Sequence, residues 1–197
     1  MKILCIGDSL TCCYNVTEKY AWTTLLAEKT GSQVVCDAGG GRLTLLMSCG
    51  LKRDGFGQVK PDVLFFMGGT NDILVDEPMD KITGNLTDIM EYAKASNVLA
   101  WLGIPPLTTK KSIEEGWQSS FDWDKHNQQL AQLRKWLKDE AKVRNLPVFD
   151  FQDTLEKSAK GNMDSLLVDG LHPNIKGYRI LGTAAAEIFA ENIKCRI

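Results

Sequence analysis

Val63-Leu64-Phe65-Phe66-Met67-Gly68-Gly69-Thr70-Asn71-Asp72 passes from an unbroken apolar run through two glycines into a polar cluster. Consecutive apolar residues without alternation read as a strand buried on both faces, as in a parallel sheet covered by helices. Four more short aliphatic runs resemble it: Lys2 to Ile6, Gln33 to Cys36, Val98 to Leu102, and Leu146 to Phe151. The segments between them carry helical periodicity. Ile82, Leu86, Ile89, Met90 and Ala93 share one helical face, as do Leu130, Leu133, Leu137 and Ala141. A last helix opening at Pro173 carries Ile180, Leu181, Ala184, Ile188 and Phe189. Strand and helix alternating in this way imply right-handed crossovers with helices on both faces. The expected fold class is α/β, a three-layer α/β/α sandwich on a five-stranded parallel sheet.

The rest of the chain is consistent with one domain over residues 1–197. Its 197 residues are 44% hydrophobic and 24% charged, enough for one sizeable core, and no repeat or Pro/Ser-rich linker divides them. The 23 basic and 25 acidic residues are dispersed, with a net charge of -2, which disfavours nucleic acid and membrane surfaces as partners. The apolar start of the chain is cut short by Asp8, too soon for a signal peptide or membrane helix, so a cytoplasmic protein is expected. Its six cysteines form no C-x-x-C pair and no cluster with metal spacing; thiols are expected, and no metal. Ile104 to Trp123 is long for a strand-to-helix loop and reads as a functional loop or a small insertion.

In open parallel sheets ligands bind beyond the carboxyl ends of the strands. The first strand runs into Gly7-Asp8-Ser9, the second into Asp37-Ala38-Gly39-Gly40-Gly41-Arg42, the third into Gly68-Gly69-Thr70-Asn71-Asp72, and Asp169-Gly170-Leu171-His172 follows the last strand. These blocks supply every part of acyl transfer. Ser9, just past a strand and near a helix start, offers a hydroxyl, and Gly7 lets backbone pack around it. Gly39 to Gly41 can aim N–H groups at a substrate oxygen, and the Asn71 amide adds a donor. Asp169 can hold Nδ1 of His172, leaving Nε2 to take the Ser9 proton.

With these blocks in this order, the chain resembles the SGNH hydrolase superfamily, the GDSL esterases and lipases. The resemblance spans Gly7 to Asn174 and implies a flavodoxin-like SGNH fold. It also implies an ester hydrolase without a cofactor, acting on a small-molecule ester. By it Ser9 is nucleophile and backbone oxyanion donor, Asn71 side-chain donor, His172 base, and Asp169 the residue orienting His172. The second block departs from the family pattern, one residue short and opening on Asp37. Gly41 is its expected oxyanion glycine because Gly-Arg followed by Thr44 matches the usual ending, with Gly40 as the alternative.

Other residues have plainer readings. Asp8 and Asp72 are expected to anchor loop and helix start, and His126, on the apolar stripe before Leu130, to be structural. Trp117, Phe121 and Trp123 either pack their loop or line the pocket, Trp117 being the expected substrate contact. O-deacetylation of a carbohydrate and cleavage of longer acyl chains, as in a lysophospholipase or thioesterase, both suit such a site. A flavodoxin-like protein binding phosphate or flavin is the rival from another class. Against it, Asp8 stands where phosphate would bind and no phosphate-binding G-x-x-x-x-G-K-[ST] motif occurs.

Overall fold

The structure, a computed structural model, describes residues 1–197. In chain order it contains β1 (Lys2–Gly7), α1 (Trp22–Thr30), β2 (Gln33–Ala38), α2 (Thr44–Asp54), β3 (Val63–Met67), α3 (Thr70–Leu74) and α4 (Met79–Ala95). Then come β4 (Leu99–Ile104), α5 (Lys111–Glu114), α6 (Trp123–Arg144), β5 (Val148–Asp150), α7 (Phe151–Ala159) and α8 (Ile175–Ile188). The five strands form one parallel sheet in the order β2-β1-β3-β4-β5. The chain first moves outward from β1 to β2, then returns to β3 on the other side of β1. The switch point therefore lies between β1 and β3, where crevices form in such sheets. Gly7 is in register with Ala38 on one side and Met67 on the other, so the three chemically loaded strand ends reach one rim together.

Alternating side chains divide the sheet into two cores. Ile3, Cys5, Val63, Phe65, Met67, Trp101 and Phe149 pack with Trp22 and Leu26 of α1, Phe151 and Leu155 of α7, and Tyr178 and Leu181 of α8. Leu4, Ile6, Leu64, Phe66, Ala100 and Leu102 face the other way, against Met47 and Leu51 of α2 and the apolar stripes of α4 and α6. Both stripes expected from periodicity are buried throughout. The near-continuous apolar character of β3 follows from this arrangement, since both of its faces are covered.

Several boundaries differ from the expectation, each for a local reason. β2 is an edge strand and is exposed to half-buried along its length rather than fully buried. β4 runs from Leu99 to Ile104, not Val98 to Leu102, and β5 is only three residues long. Asp150 ends β5 by capping α7, accepting from the Asp153 N–H at 3.1 Å, while Arg134 of α6 pairs with it at 3.0 Å in a buried contact. Phe151, expected as strand, thus opens a helix. The last helix begins two residues after Pro173, because Asn174 caps it through Gly177 N–H at 3.0 Å. No helix is long and apolar enough to cross a membrane.

Candidate active site

Ser9 does not stand at a helix start. The chain after β1 makes a compact turn in which Thr11 and Cys12 donate to the Asp8 carbonyl at 3.1 and 3.0 Å and Tyr14 donates to the Ser9 carbonyl at 3.0 Å. This single helical turn is not continued, because Cys13 and Asn15 adopt left-handed backbone (φ 60° and 62°), and the next α-helix waits until Trp22. Ser9 is therefore fixed by a tight turn on the end of a central strand.

The Asp169 block also differs from its expected place. It does not follow a strand directly: α7 and a 3₁₀ turn (Met163–Leu166) intervene after β5. The block still arrives beside Ser9. His172 Nδ1 lies 2.7 Å from Asp169 Oδ2, and its Nε2 lies 2.9 Å from Ser9 Oγ. Asp169 Oδ1 accepts the Leu171 and His172 backbone N–H groups at 3.0 and 2.7 Å, a three-residue turn that aims the carboxylate back at its own imidazole. Burial pushes the Asp169 carboxyl upward. The side-chain and backbone hydrogen bonds of His172, its charge, and the Leu171 amide outweigh burial and hold it at about 2. An ionised Asp169 only accepts, so Nδ1 carries the imidazole proton and Nε2 is left to accept from the Ser9 hydroxyl.

The glycine block forms a turn closed by Arg42 N–H on the Gly39 carbonyl at 3.3 Å. Gly39 spends its own N–H on the Gly7 carbonyl at 3.3 Å. The N–H groups of Gly40, Gly41 and Ser9 have no acceptor within the chain, so these three remain available to a substrate oxygen. Left-handed backbone falls at Gly41 (φ 70°), not at Gly40, so the turn itself demands glycine at the expected position. Asn71, on the first turn of α3, donates to the Arg42 carbonyl at 3.3 Å and so joins this turn to the end of β3. Asp72 strengthens the same junction, accepting from Thr44 N at 3.1 Å and from Thr44 Oγ1 at 2.6 Å. It is the helix-start anchor expected, here of α2.

Asp8 anchors its loop through Leu10 N–H at 3.0 Å, but its other oxygen is buried without a partner. Burial pushes this carboxyl up to about 7, opposed by the Leu10 amide and by His172. His126 is buried, its Nδ1 3.1 Å from Gln118 Oε1, away from Ser9. Phe121 is 93% exposed, while Trp123 opens α6 and donates to the Thr109 carbonyl at 3.1 Å. Trp117 reaches the site: its ring centroid is 5.0 Å from that of His172, and its indole N–H donates to Asp169 Oδ2 at 2.9 Å. Tyr14, which no sequence pattern singled out, packs beside it, 4.5 Å from the His172 ring and edge-on to Trp117 at 5.9 Å. Its only signal was membership of the turn that presents Ser9.

A model of the GDSL-like Lipase/Acylhydrolase family matches residues 5–180. Among solved structures, a lipolytic protein of the G-D-S-L family from Veillonella parvula is similar at 24% identity over 97% of this chain and 99% of that one, with a TM-score of 0.81. A G-D-S-L family protein from Desulfitobacterium hafniense matches at 20% identity over 95% and 98%, with a TM-score of 0.79. A catalytic mutant of Axe2, an acetylxylan esterase from Geobacillus stearothermophilus, matches at 20% identity over 98% and 93%, with a TM-score of 0.75. Likeness at these identities shows a shared fold. No curated protein matches the sequence significantly.

Proposed function

The chain belongs to the GDSL-like lipase/acylhydrolase family and is a carboxylic ester hydrolase, and from that premise we propose that it works through an acyl-enzyme on Ser9 and removes small acyl groups, acetyl above all, from a polar leaving group such as a sugar. The Ser9–His172–Asp169 hydrogen-bond chain carries this reading. Ser9 Oγ attacks the ester carbonyl as Nε2 of His172 takes its proton. The tetrahedral oxyanion is met by the N–H groups of Ser9 and Gly41 and by the Asn71 amide. Collapse breaks the bond to the leaving alcohol, which takes the proton from Nε2. Water, deprotonated by the same nitrogen, then cleaves the acyl-enzyme, and the acid leaves with Ser9 restored.

The acyl preference rests on the rim. Tyr14 and Trp117 are 41% and 38% exposed and meet edge to face beside His172, an aromatic corner against which a sugar ring can pack. The similar fold of an acetylxylan esterase is in keeping with this. One observation favours a second reading, hydrolysis of longer acyl chains. A groove of about 1250 Å³ between α7 and α8 begins beside the nucleophile turn at Asn15 and Val16 and continues past Val168, Ile175 and Ile180. A p-nitrophenyl ester chain-length series, run beside acetylated xylo-oligosaccharides on one preparation, decides between them. Acetyl esters are expected to outrun decanoyl esters, and the reverse order removes the sugar-deacetylase reading.

A further inference from the structure

The long segment between β4 and α6 is fastened to the turn that carries His172. Thr109 donates its N–H to the Gly170 carbonyl at 2.8 Å, and its hydroxyl hydrogen-bonds to Asp164. A side chain at Gly170 would meet Ser112 N at 2.3 Å and the Lys111 carbonyl carbon at 2.9 Å, so the two loops are in backbone contact. Within the segment, buried Gln118 donates to Thr108 Oγ1 at 2.8 Å and Ser112 Oγ at 2.7 Å, and its carbonyl faces His126 of α6. Trp117 N–H donates to the Ser112 carbonyl at 2.9 Å. The neighbour of Trp117 is therefore bonded twice within its own segment and once to α6, which holds the indole where it is.

What the indole meets is the oxygen on which His172 depends. Asp169 Oδ2 is shared by His172 Nδ1 at 2.7 Å and Trp117 Nε1 at 2.9 Å, while Oδ1 takes two backbone amides. Four donors thus occupy the carboxylate. Three come from its own turn, and those alone leave the side of Oδ2 away from the imidazole open to rotation or to water. We propose that Trp117 is a positioning residue for hydrolysis, its indole N–H locking Asp169 against His172, and that the Ile104–Trp123 segment exists in this chain to deliver that N–H. This gives Trp117 a task separate from substrate contact, and one indifferent to which ester is bound.

The inference rests on the Ser9–His172–Asp169 reading, and the test separates the two. Trp117→Phe keeps an aromatic ring at this position and removes the N–H together with the five-membered ring that bears it. Its kcat is expected to fall about ten- to a hundredfold, the range that a lost hydrogen bond to a charged group commands. The fall should be alike for p-nitrophenyl acetate and an acetylated xylo-oligosaccharide, with KM little changed and with the melting temperature close to that of the parent. In an Asp169→Asn background the same substitution should cost nothing further, because residues acting through one another are not additive. A Trp117→Phe loss confined to the sugar substrate, or one undiminished in the Asp169→Asn background, overturns the inference alone. An Asp169→Asn chain as active as the parent overturns the triad reading and the inference with it.

Discussion

The two halves of the site are held by different means. Ser9 and Asn71 stand at the ends of β1 and β3, neighbouring central strands whose register is set by backbone hydrogen bonds and covered on both faces. Asp169 and His172 stand on a turn that no strand carries, reached only after α7 and a 3₁₀ turn, and stitched to the Thr108–Gln118 stretch of the preceding loop. The first half is positioned by the sheet, so its geometry is as rigid as the core. The second is positioned by one loop holding another. Precision there depends on a few polar contacts and is correspondingly easier to lose.

The largest effects should come from breaking the link between the halves. Ser9→Ala or His172→Ala is expected to lower kcat by about four to six orders of magnitude, and the double variant should be no worse than either alone. Ser9→Ala should also abolish labelling by a fluorophosphonate. Labelling that survives in Ser9→Ala would place the nucleophile elsewhere, and additive losses would mean that the two residues do not act as a unit.

Next comes the strand-borne half. Asn71→Ala should lower kcat by about a hundredfold to a thousandfold with KM little changed, because the donor acts on charge that develops in the transition state. A change confined to KM would make Asn71 a ground-state contact. At Gly41 the left-handed backbone gives a finer control: both Asn and Val keep the N–H, but Asn tolerates φ near 70° and Val does not. Gly41→Asn should therefore retain much more activity than Gly41→Val, and if Gly40→Val is the damaging variant instead, the oxyanion position returns to Gly40.

The loop-borne half has its own weak point in Gly170, where an added Cβ lands 2.3 Å from Ser112 N. Backbone cannot yield as a flexible side chain can, so Gly170→Ala should push the Trp117 loop off the His172 turn. We expect kcat to fall by about tenfold, comparable to Trp117→Phe, together with faster proteolysis within 105–123. A fully active, protease-resistant Gly170→Ala would show that the stitching does not matter.

The same contrast explains how much was legible in the sequence. Strands buried on both faces announce themselves as apolar runs, so β1 and β3, the rim they share, and the stripes of α4 and α6 could be read directly. That Ser9, Asp169 and His172 would meet could be read from short blocks, a Gly-Asp-Ser turn after a strand and an Asp and His three residues apart, which the fold brings together. β5 and α7 were misread where a polar residue, Asp150, makes the boundary through Arg134, sixteen residues earlier in the chain and on another element. Hydropathy carries no trace of such a contact. The Trp117–Asp169 hydrogen bond spans 52 residues and Tyr14 meets His172 across the whole fold, so neither leaves a local pattern. Trp117 was singled out as a substrate contact, and its indole N–H turned out to be committed to a carboxylate.

The smallest effect concerns Asp8, which belongs to the rigid half and shows what that rigidity costs. Its carboxyl is fully buried, with one oxygen bonded to the Leu10 amide and the other unpaired, and burial raises it from 3.8 to about 7. Between those values the folded chain binds a proton that the unfolded chain has released. Stability must then fall as pH rises through that window, the reverse of a carboxylate held low by hydrogen bonds such as Asp169. Asp8→Asn keeps the oxygen that Leu10 uses and cannot ionise, so relative to the parent it should gain stability on going from pH 5 to pH 8, by up to about 2 kcal/mol. Urea unfolding of both chains at the two pH values measures this. Because Asp8 lies outside the Ser9–His172–Asp169 chain, kcat at pH 7 should change by less than about tenfold. A stability difference independent of pH would mean that Asp8 is ionised throughout and that some donor reaches its second oxygen. A collapse in kcat would instead make Asp8 part of the catalytic machinery.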